Sequence, residues 1–184
     1  MTTTNVAYVG SLGRTDGLDG DSWFTPEKYL NAVKTAFKTS IDLDPFSNEQ
    51  ANKIVSAKTY YTIQDDGFSK KWKGKNVFIN PPYSRGLVKK AIAKALEEYN
   101  NQNIKNVIIL TNNATDTSWY SSLAPKASRI CFTNHRIKFW NIDGKTVSGN
   151  TRGQIFFLLS KDKSVQERFV ENFKQFGNIY GAIL

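Results

Sequence analysis

The sequence has one cysteine, one histidine and five prolines, and no apolar run of membrane-spanning length. Cys131 alone excludes a disulfide framework and a cysteine-rich zinc site. His135 alone excludes a site with several histidine ligands and confines any Ser-His-Asp chemistry to that one residue. The longest apolar runs, Val107–Leu110 and Ile155–Leu159, fall far short of the roughly 20 residues that a span requires. The opening MTTTNVAYVG lacks the basic start and apolar stretch of a signal peptide. These absences predict a soluble, reduced, intracellular protein.

What is present suffices for a core. Of 184 residues, 40% are hydrophobic and 13% aromatic, which fits one domain and excludes wholesale disorder. Residues 10–22 hold four glycines and little apolar periodicity. We read residues 1–22 as a flexible arm and 23–184 as a single domain. Lys and Arg number 25 against 16 Asp and Glu, a net +9. That excess suggests a polyanionic partner. Lys70, Lys71, Lys73 and Lys75 surround Trp72. His135, Arg136 and Lys138 precede Phe139 and Trp140, with Lys145 and Arg152 nearby. Cations neutralise phosphates and aromatics stack on unpaired bases. A solvated basic face with its aromatic anchored in the core accounts for the same pattern.

The apolar spacing predicts alternating helices and strands. Thr25-Pro26 opens a first helix carrying Tyr29, Leu30, Val33 and Phe37 on one stripe. Strands are expected at 41–43, 59–63, 77–79, 107–110, 129–132 and 179–183. Helices are expected at 49–57, around Trp119, and where Val165, Phe169 and Phe173 share a face. Ser84 is the predicted cap of the helix bearing Leu87, Val88, Ala91, Ile92 and Ala95. Residues 136–142 and 154–160 read as a hairpin around Asp143-Gly144, with Arg136 and Lys138 on one face of the first strand. The alternation implies an α/β fold with a mostly parallel sheet covered on both faces. Ligands of such sheets bind at the carboxyl ends of the strands. Asp44, Asp66, Asn80 and Asn112 each follow a predicted strand, so they converge on one crevice.

Asn80-Pro81-Pro82-Tyr83 carries the most specific chemistry. Asn80 offers an amide oxygen and Pro81 a backbone carbonyl, both acceptors. The two prolines fix the backbone that presents them. Tyr83 supplies a ring for a planar group. The set suits a planar amine held by two acceptors against an aromatic; a strand ending in a Pro-Pro turn is the plainer reading.

The motif resembles that of S-adenosylmethionine-dependent methyltransferases acting on exocyclic amines. From about Asp21 to Phe157 the chain is similar to the phage-type DNA adenine N6-methyltransferases (Dam-like). The likeness runs through Trp23, Thr25, Pro26, Asp44-Pro45, Ser47, Asn48, Tyr60-Tyr61, Asp65-Asp66-Gly67, Trp72 and the Asn-Pro-Pro-Tyr motif, then Asn113, Thr115, Trp119 and Arg136–Phe139.

The resemblance implies a Rossmann-like methyltransferase fold with a C-terminal hairpin. It implies S-adenosylmethionine as cofactor, S-adenosylhomocysteine as product and no metal. Asn80, Pro81, Pro82 and Tyr83 would be catalytic. Trp23, Thr25, Pro26, Asp44, Pro45, Phe46, Asn48 and Asp66 would bind the cofactor. Ser84, Arg85, Arg136, Lys138, Lys145 and Arg152 would contact DNA. The partner would be DNA, with no membrane involved and a monomer favoured, in the cytoplasm of a bacterial host carrying the phage or prophage. No Phe-x-Gly-x-Gly loop is present, and Phe46 and Phe68 stand where relatives carry other residues. A protein glutamine, an RNA adenine, a cytosine N4 amine, and a DNA-binding module without catalysis remain alternatives.

Overall fold

The computed structural model describes residues 24–83, 86–140 and 151–181. Trp23, Ser84, Arg85, Lys145, the 1–22 arm and the Asp143-Gly144 turn lie outside the described residues. Within them, seven strands form one mixed sheet flanked by five α-helices.

Helix α1 (Glu27–Phe37) begins where Thr25-Pro26 predicts, with Pro26 itself at the N-cap. Next come β1 (Leu43–Asp44), α2 (Glu49–Val55), β2 (Thr59–Tyr60) and β3 (Gly74–Ile79). Helix α3 (Leu87–Asn100), β4 (Ile104–Asn112), α4 (Ser118–Leu123) and β5 (Arg129–Thr133) follow. The chain closes with β6 (Gln154–Ser160), α5 (Lys163–Phe173) and β7 (Gly177–Gly181). The N-cap of α3 is Gly86 at φ 78°, not Ser84. A left-handed cap favours glycine because it carries no Cβ to clash.

The strand order is β2-β1-β3-β4-β6-β5-β7. From β2 to β4 the pairings are parallel, as the sequence implies. The other three are antiparallel, so the sheet is mixed. The 136–142/154–160 hairpin does not form. Residues 136–139 carry no strand, and Trp140 makes an isolated bridge to Phe24. Strand β6 inserts between β4 and β5 instead. All seven of its residues are buried, and a hairpin at the sheet edge would leave that strand half exposed.

Apolar side chains fill both faces. Tyr29, Leu30 and Val33 of α1 and Phe169 and Phe173 of α5 cover Phe78, Ile108 and Phe156. On the other face Ala91 and Ile92 of α3, with Trp119 of α4, cover Val77, Val107 and Phe157. Trp72 is fully buried and donates from Nε1 to the Gly67 carbonyl at 2.8 Å, so it belongs to the core rather than to a groove wall. Among the described residues no helix is long and apolar enough to cross a membrane.

Candidate active site

Strands β1, β3 and β4 run in one direction, so Asp44, Asn80 and Asn112 emerge at one edge of the sheet. Leu43 pairs with Val77, and both side chains lie on the α3 face. The pleat therefore turns Asp44 and Phe78 to the α1 face, and Asn80 continues that side. Because α1 runs back toward the opposite edge before β1, its N-terminus with Thr25 and Pro26 lies at this same end, both residues buried.

Among the described residues, three buried side-chain oxygens have no hydrogen-bond partner: Ser47 Oγ, Asn80 Oδ1 and Thr111 Oγ1. All three sit at or just past the ends of β1, β3 and β4. Buried polar atoms in native proteins are nearly always satisfied, since leaving one unpaired costs about 1–3 kcal/mol. Thr111 shares the α3 face with Val107 and Ile109, so the Asn80 and Ser47 oxygens, on the side of Asp44, are the two that bear on a polar ligand here.

Asp44 is the second unusual group. It is 3% exposed, and among the described residues its Oδ1 accepts from the Phe46 N–H alone, at 3.2 Å. Burial pushes its carboxyl from an ordinary 3.8 up to about 7; the Phe46 N–H and the adjacent Ser47 hydroxyl pull the other way without matching it. Ser47 lies beside this carboxylate but outside hydrogen-bond geometry. Pro45 and Phe46 are buried behind it, Phe46 edge-on to Trp72 and tilted against Phe68. Phe46 and Phe68 thus pack on each other. Asn48 caps α2, its amide oxygen accepting from Ala51 N at 2.8 Å.

Asp66 is exposed, at φ 52°, with Oδ1 accepting from Phe68 N. It is the Asp-Gly turn that the sequence allows. That turn is held against the Asp44 loop by Gly67, where an added Cβ would sit 2.0 Å from the Pro45 carbonyl oxygen. Backbone cannot yield to such a clash cheaply. We expect Gly67→Ala to lower stability by about 1–3 kcal/mol or more, read as the urea midpoint. An unchanged midpoint would show that the two loops are not tightly apposed.

Pro81 and Pro82 are buried and Tyr83 is half-buried. The Tyr83 hydroxyl points at β4, 3.4 Å from the Leu110 carbonyl, and burial raises its pKa. The ring is thus anchored by its far end.

Arg136 and Lys138 are exposed while Ile137 and Phe139 are buried, so the predicted alternation holds without a strand. Arg136 reaches the crevice rim: a Cβ on Gly153 would meet its Nη1 at 3.1 Å and Asn113 Cβ at 3.4 Å. Arg152 is exposed beside it.

Two residues that the sequence reading did not single out organise this rim. Gln154 is 1% exposed. Its Oε1 accepts from Ile137 N at 3.0 Å, and its Nε2 donates to the Arg152 carbonyl at 2.8 Å and toward Asn112 Oδ1 at 3.4 Å. A polar residue opening a wholly apolar strand was its signal. Tyr29, read only as part of a stripe, is hydrogen-bonded through its hydroxyl to His135 Nε2 at 2.6 Å, and His135 Nδ1 meets Asn134 Oδ1 at 2.7 Å. Burial and the nearby Lys28 lower the His135 pKa, and burial raises that of Tyr29 to about 12. The pair pins the 134–140 segment onto α1.

At the ends of adjacent strands the α/β sheet thus presents an Asn-Pro-Pro-Tyr turn with an unpaired acceptor and a buried carboxylate. The chain matches the DNA N-6-adenine-methyltransferase (Dam) family over residues 13–175, and it belongs to that family. It is 29% identical over 144 residues to the DNA N-6-adenine-methyltransferase of Haemophilus phage HP1, covering 76% of this chain and 79% of that one. To the DNA N-6-adenine-methyltransferase of Escherichia phage T1 it is 27% identical over 167 residues, covering 80% of this chain and 66% of that one. No solved structure matches the chain.

Proposed function

We propose that this protein transfers the methyl group of S-adenosylmethionine to N6 of an adenine in DNA, at the crevice formed by the ends of β1, β3 and β4. Family membership supports the reaction, and the unpaired Asn80 Oδ1 carries the assignment of the site. An orphaned acceptor needs an N–H donor, and an exocyclic amine brings one. The cofactor also fits the residues present. Its cationic amino group meets the need of the Asp44 carboxylate, which is buried and has a single weak donor. Ser47 Oγ beside it is able to donate or accept.

When bound, S-adenosylmethionine supplies an electrophilic methyl group. The chain supplies position. Asn80 Oδ1 and the Pro81 carbonyl accept the two N6 hydrogens, which fixes the amine and turns its lone pair toward the electrophile. Pro81 and Pro82 hold that backbone in one conformation. Tyr83, anchored at Leu110, offers its ring to the base. A base reached in this way leaves the stack, at a few kcal/mol. Arg136, Lys138 and Arg152 stand at the rim to meet phosphates, held there by Gln154 and the Tyr29–His135 pair. Thr25, Pro26, Pro45, Phe46, Asn48 and Asp66 border the cofactor side. The resemblance also assigns Trp23 to cofactor binding and Ser84, Arg85 and Lys145 to DNA contact; these four lie outside the described residues.

The sheet supports the same reading. We read the mixed sheet, with antiparallel β6 inserted between two strands that run the other way, as Rossmann-like, in keeping with the family. We read residues 23–184 as one catalytic domain acting as a monomer in the cytoplasm of an infected host.

The test is methyl transfer from labelled S-adenosylmethionine to mixed-sequence duplex DNA, followed by digestion to nucleosides. Label on N6-methyladenosine is the expected result. Label on a protein or RNA acceptor with none on DNA would overturn the choice of substrate.

A further inference from the structure

Among the described residues the positive charge is not confined to the crevice. Much of it lies at the opposite edge of the sheet, where β3 and β4 begin and β6 ends. There Lys73, Lys75, Lys105, Lys161 and Lys163 are all exposed. Register aligns three of them. Gly74 pairs with Ile104 and Asn76 with Asn106, which sets Lys75 opposite Lys105. Asn106 pairs with Ser160, which sets Lys105 opposite Lys161. We infer that this edge is a second nucleic-acid surface, binding the phosphate backbone of a separate duplex segment through Lys75, Lys105 and Lys161. The inference rests on the reading that the crevice takes DNA.

The row is built in place. Adjacent strands lie about 4.8 Å apart, so three ammonium stems leave the sheet within about 10 Å. One residue inward, the buried side chains of Asn76, Asn106 and Ser160 are linked: Asn106 Nδ2 donates to Asn76 Oδ1 at 2.9 Å and Ser160 Oγ to Asn106 Oδ1 at 2.6 Å. That ladder locks the register that aligns the lysines. Like charges directly across a strand pair are destabilising, and no acid in the row relieves them. Among the described residues none of the three lysines is in an ion pair. Carboxylates near this edge are committed elsewhere. Asp42 pairs with Lys58 and accepts from the Lys75 and Asn76 N–H groups. Glu98 holds Lys94 and Asn103, and Asp162 caps α5. An anion from outside is what removes the repulsion.

The surface is cationic without being apolar. The exposed large hydrophobics among the described residues, Trp140 and Tyr180, lie on neither β3, β4 nor β6. A protein partner needs an apolar centre, whereas a phosphate backbone needs only spaced charges. Lys75 is five residues down β3 from Asn80, about 16 Å, and at the far end of the strand. The row and the crevice thus lie at opposite ends of the strand, which sets the row to take another segment.

The test uses the full chain and a Lys75→Gln/Lys105→Gln/Lys161→Gln variant, which removes repulsion and is expected to fold. Two short duplexes carry different dyes, and energy transfer reports bridging by the protein. The wild type is expected to bridge them at low salt and the variant at least tenfold less. On long DNA the variant's slope of log affinity against log salt is expected to be shallower by about 2–3. Methylation of a single short duplex is expected to be unchanged. Equal bridging and equal slopes overturn the inference. So does an equal loss of short-duplex methylation, which would place the row on the primary DNA face. Row-dependent capture of phosphatidylserine vesicles with unchanged bridging overturns it in favour of a membrane surface. A wild type that methylates no duplex defeats the crevice reading instead, and is distinguished by the bridging signal.

Discussion

Asn80→Ala is expected to lower methyl transfer by at least about 10²–10³-fold, while cofactor affinity changes less than about threefold. Asn80 Oδ1 lies buried without a partner. In the free protein it earns nothing and costs about 1–3 kcal/mol. Its return comes only when an amine donates to it. Removing the amide therefore removes positioning of the acceptor base but leaves the Asp44 side of the crevice intact. The ligand-free fold is expected to keep its stability or gain a little. This combination separates the functional role from a structural one, because a residue that merely ended β3 would lose stability on truncation and retain turnover. Single-turnover methylation, cofactor titration and thermal melting of one preparation measure all three. A variant with near-normal turnover would remove Asn80 from the chemistry.

The motifs of the candidate site are more legible in the sequence than the sheet that carries them. Asn80-Pro81-Pro82-Tyr83 stood out because it interrupts an apolar strand with residues no strand interior accepts. Asp44-Pro45 was visible for the same reason. Strand β6 is the counter-example. Gln154–Ser160 is buried along its whole length, so it has no two-residue period to show which face is solvated, and nothing local gives its direction or neighbours. The hairpin reading failed there. It was encouraged by residues 136–139, whose buried-exposed alternation is real but is maintained by Gln154, Thr133 and the Phe24–Trp140 bridge rather than by a strand partner. The lysine row was hidden for a different reason. Lys75, Lys105 and Lys161 are far apart in the chain and become neighbours only through two strand pairings. The basic cluster read at 70–75 is thus partly a row running across the sheet.

The pH behaviour of Asp44 yields the other large effect. Its folded carboxyl titrates near 7 because burial disfavours the charge, against 3.8 when unburied. The sign follows from linkage. Below about pH 4 both folded and unfolded chains hold the proton, and burial costs nothing. As pH rises from there toward 7 the unfolded chain ionises first, so stability falls. Above about 7 the whole penalty is present, on the order of 4 kcal/mol at most. Asp44→Asn keeps the shape and the acceptor for Phe46 N but cannot ionise. It is expected to raise Tm by roughly 5–10 °C at pH 8 and hardly at all at pH 4. The same change is expected to weaken S-adenosylmethionine binding by roughly 10–100-fold, because a charge-assisted hydrogen bond to the cationic amino group is lost. In the wild type that affinity is expected to fall as pH drops below about 7, where Asp44 takes up its proton; in the variant this dependence disappears. Melting at the two pH values, with cofactor titrations across the same range, reads both effects. A variant that melts lower at pH 8, or binds as tightly as the wild type, would show that Asp44 is a structural turn residue. A variant that gains stability while losing the cofactor would identify the buried charge as one the fold tolerates in order to hold its ligand.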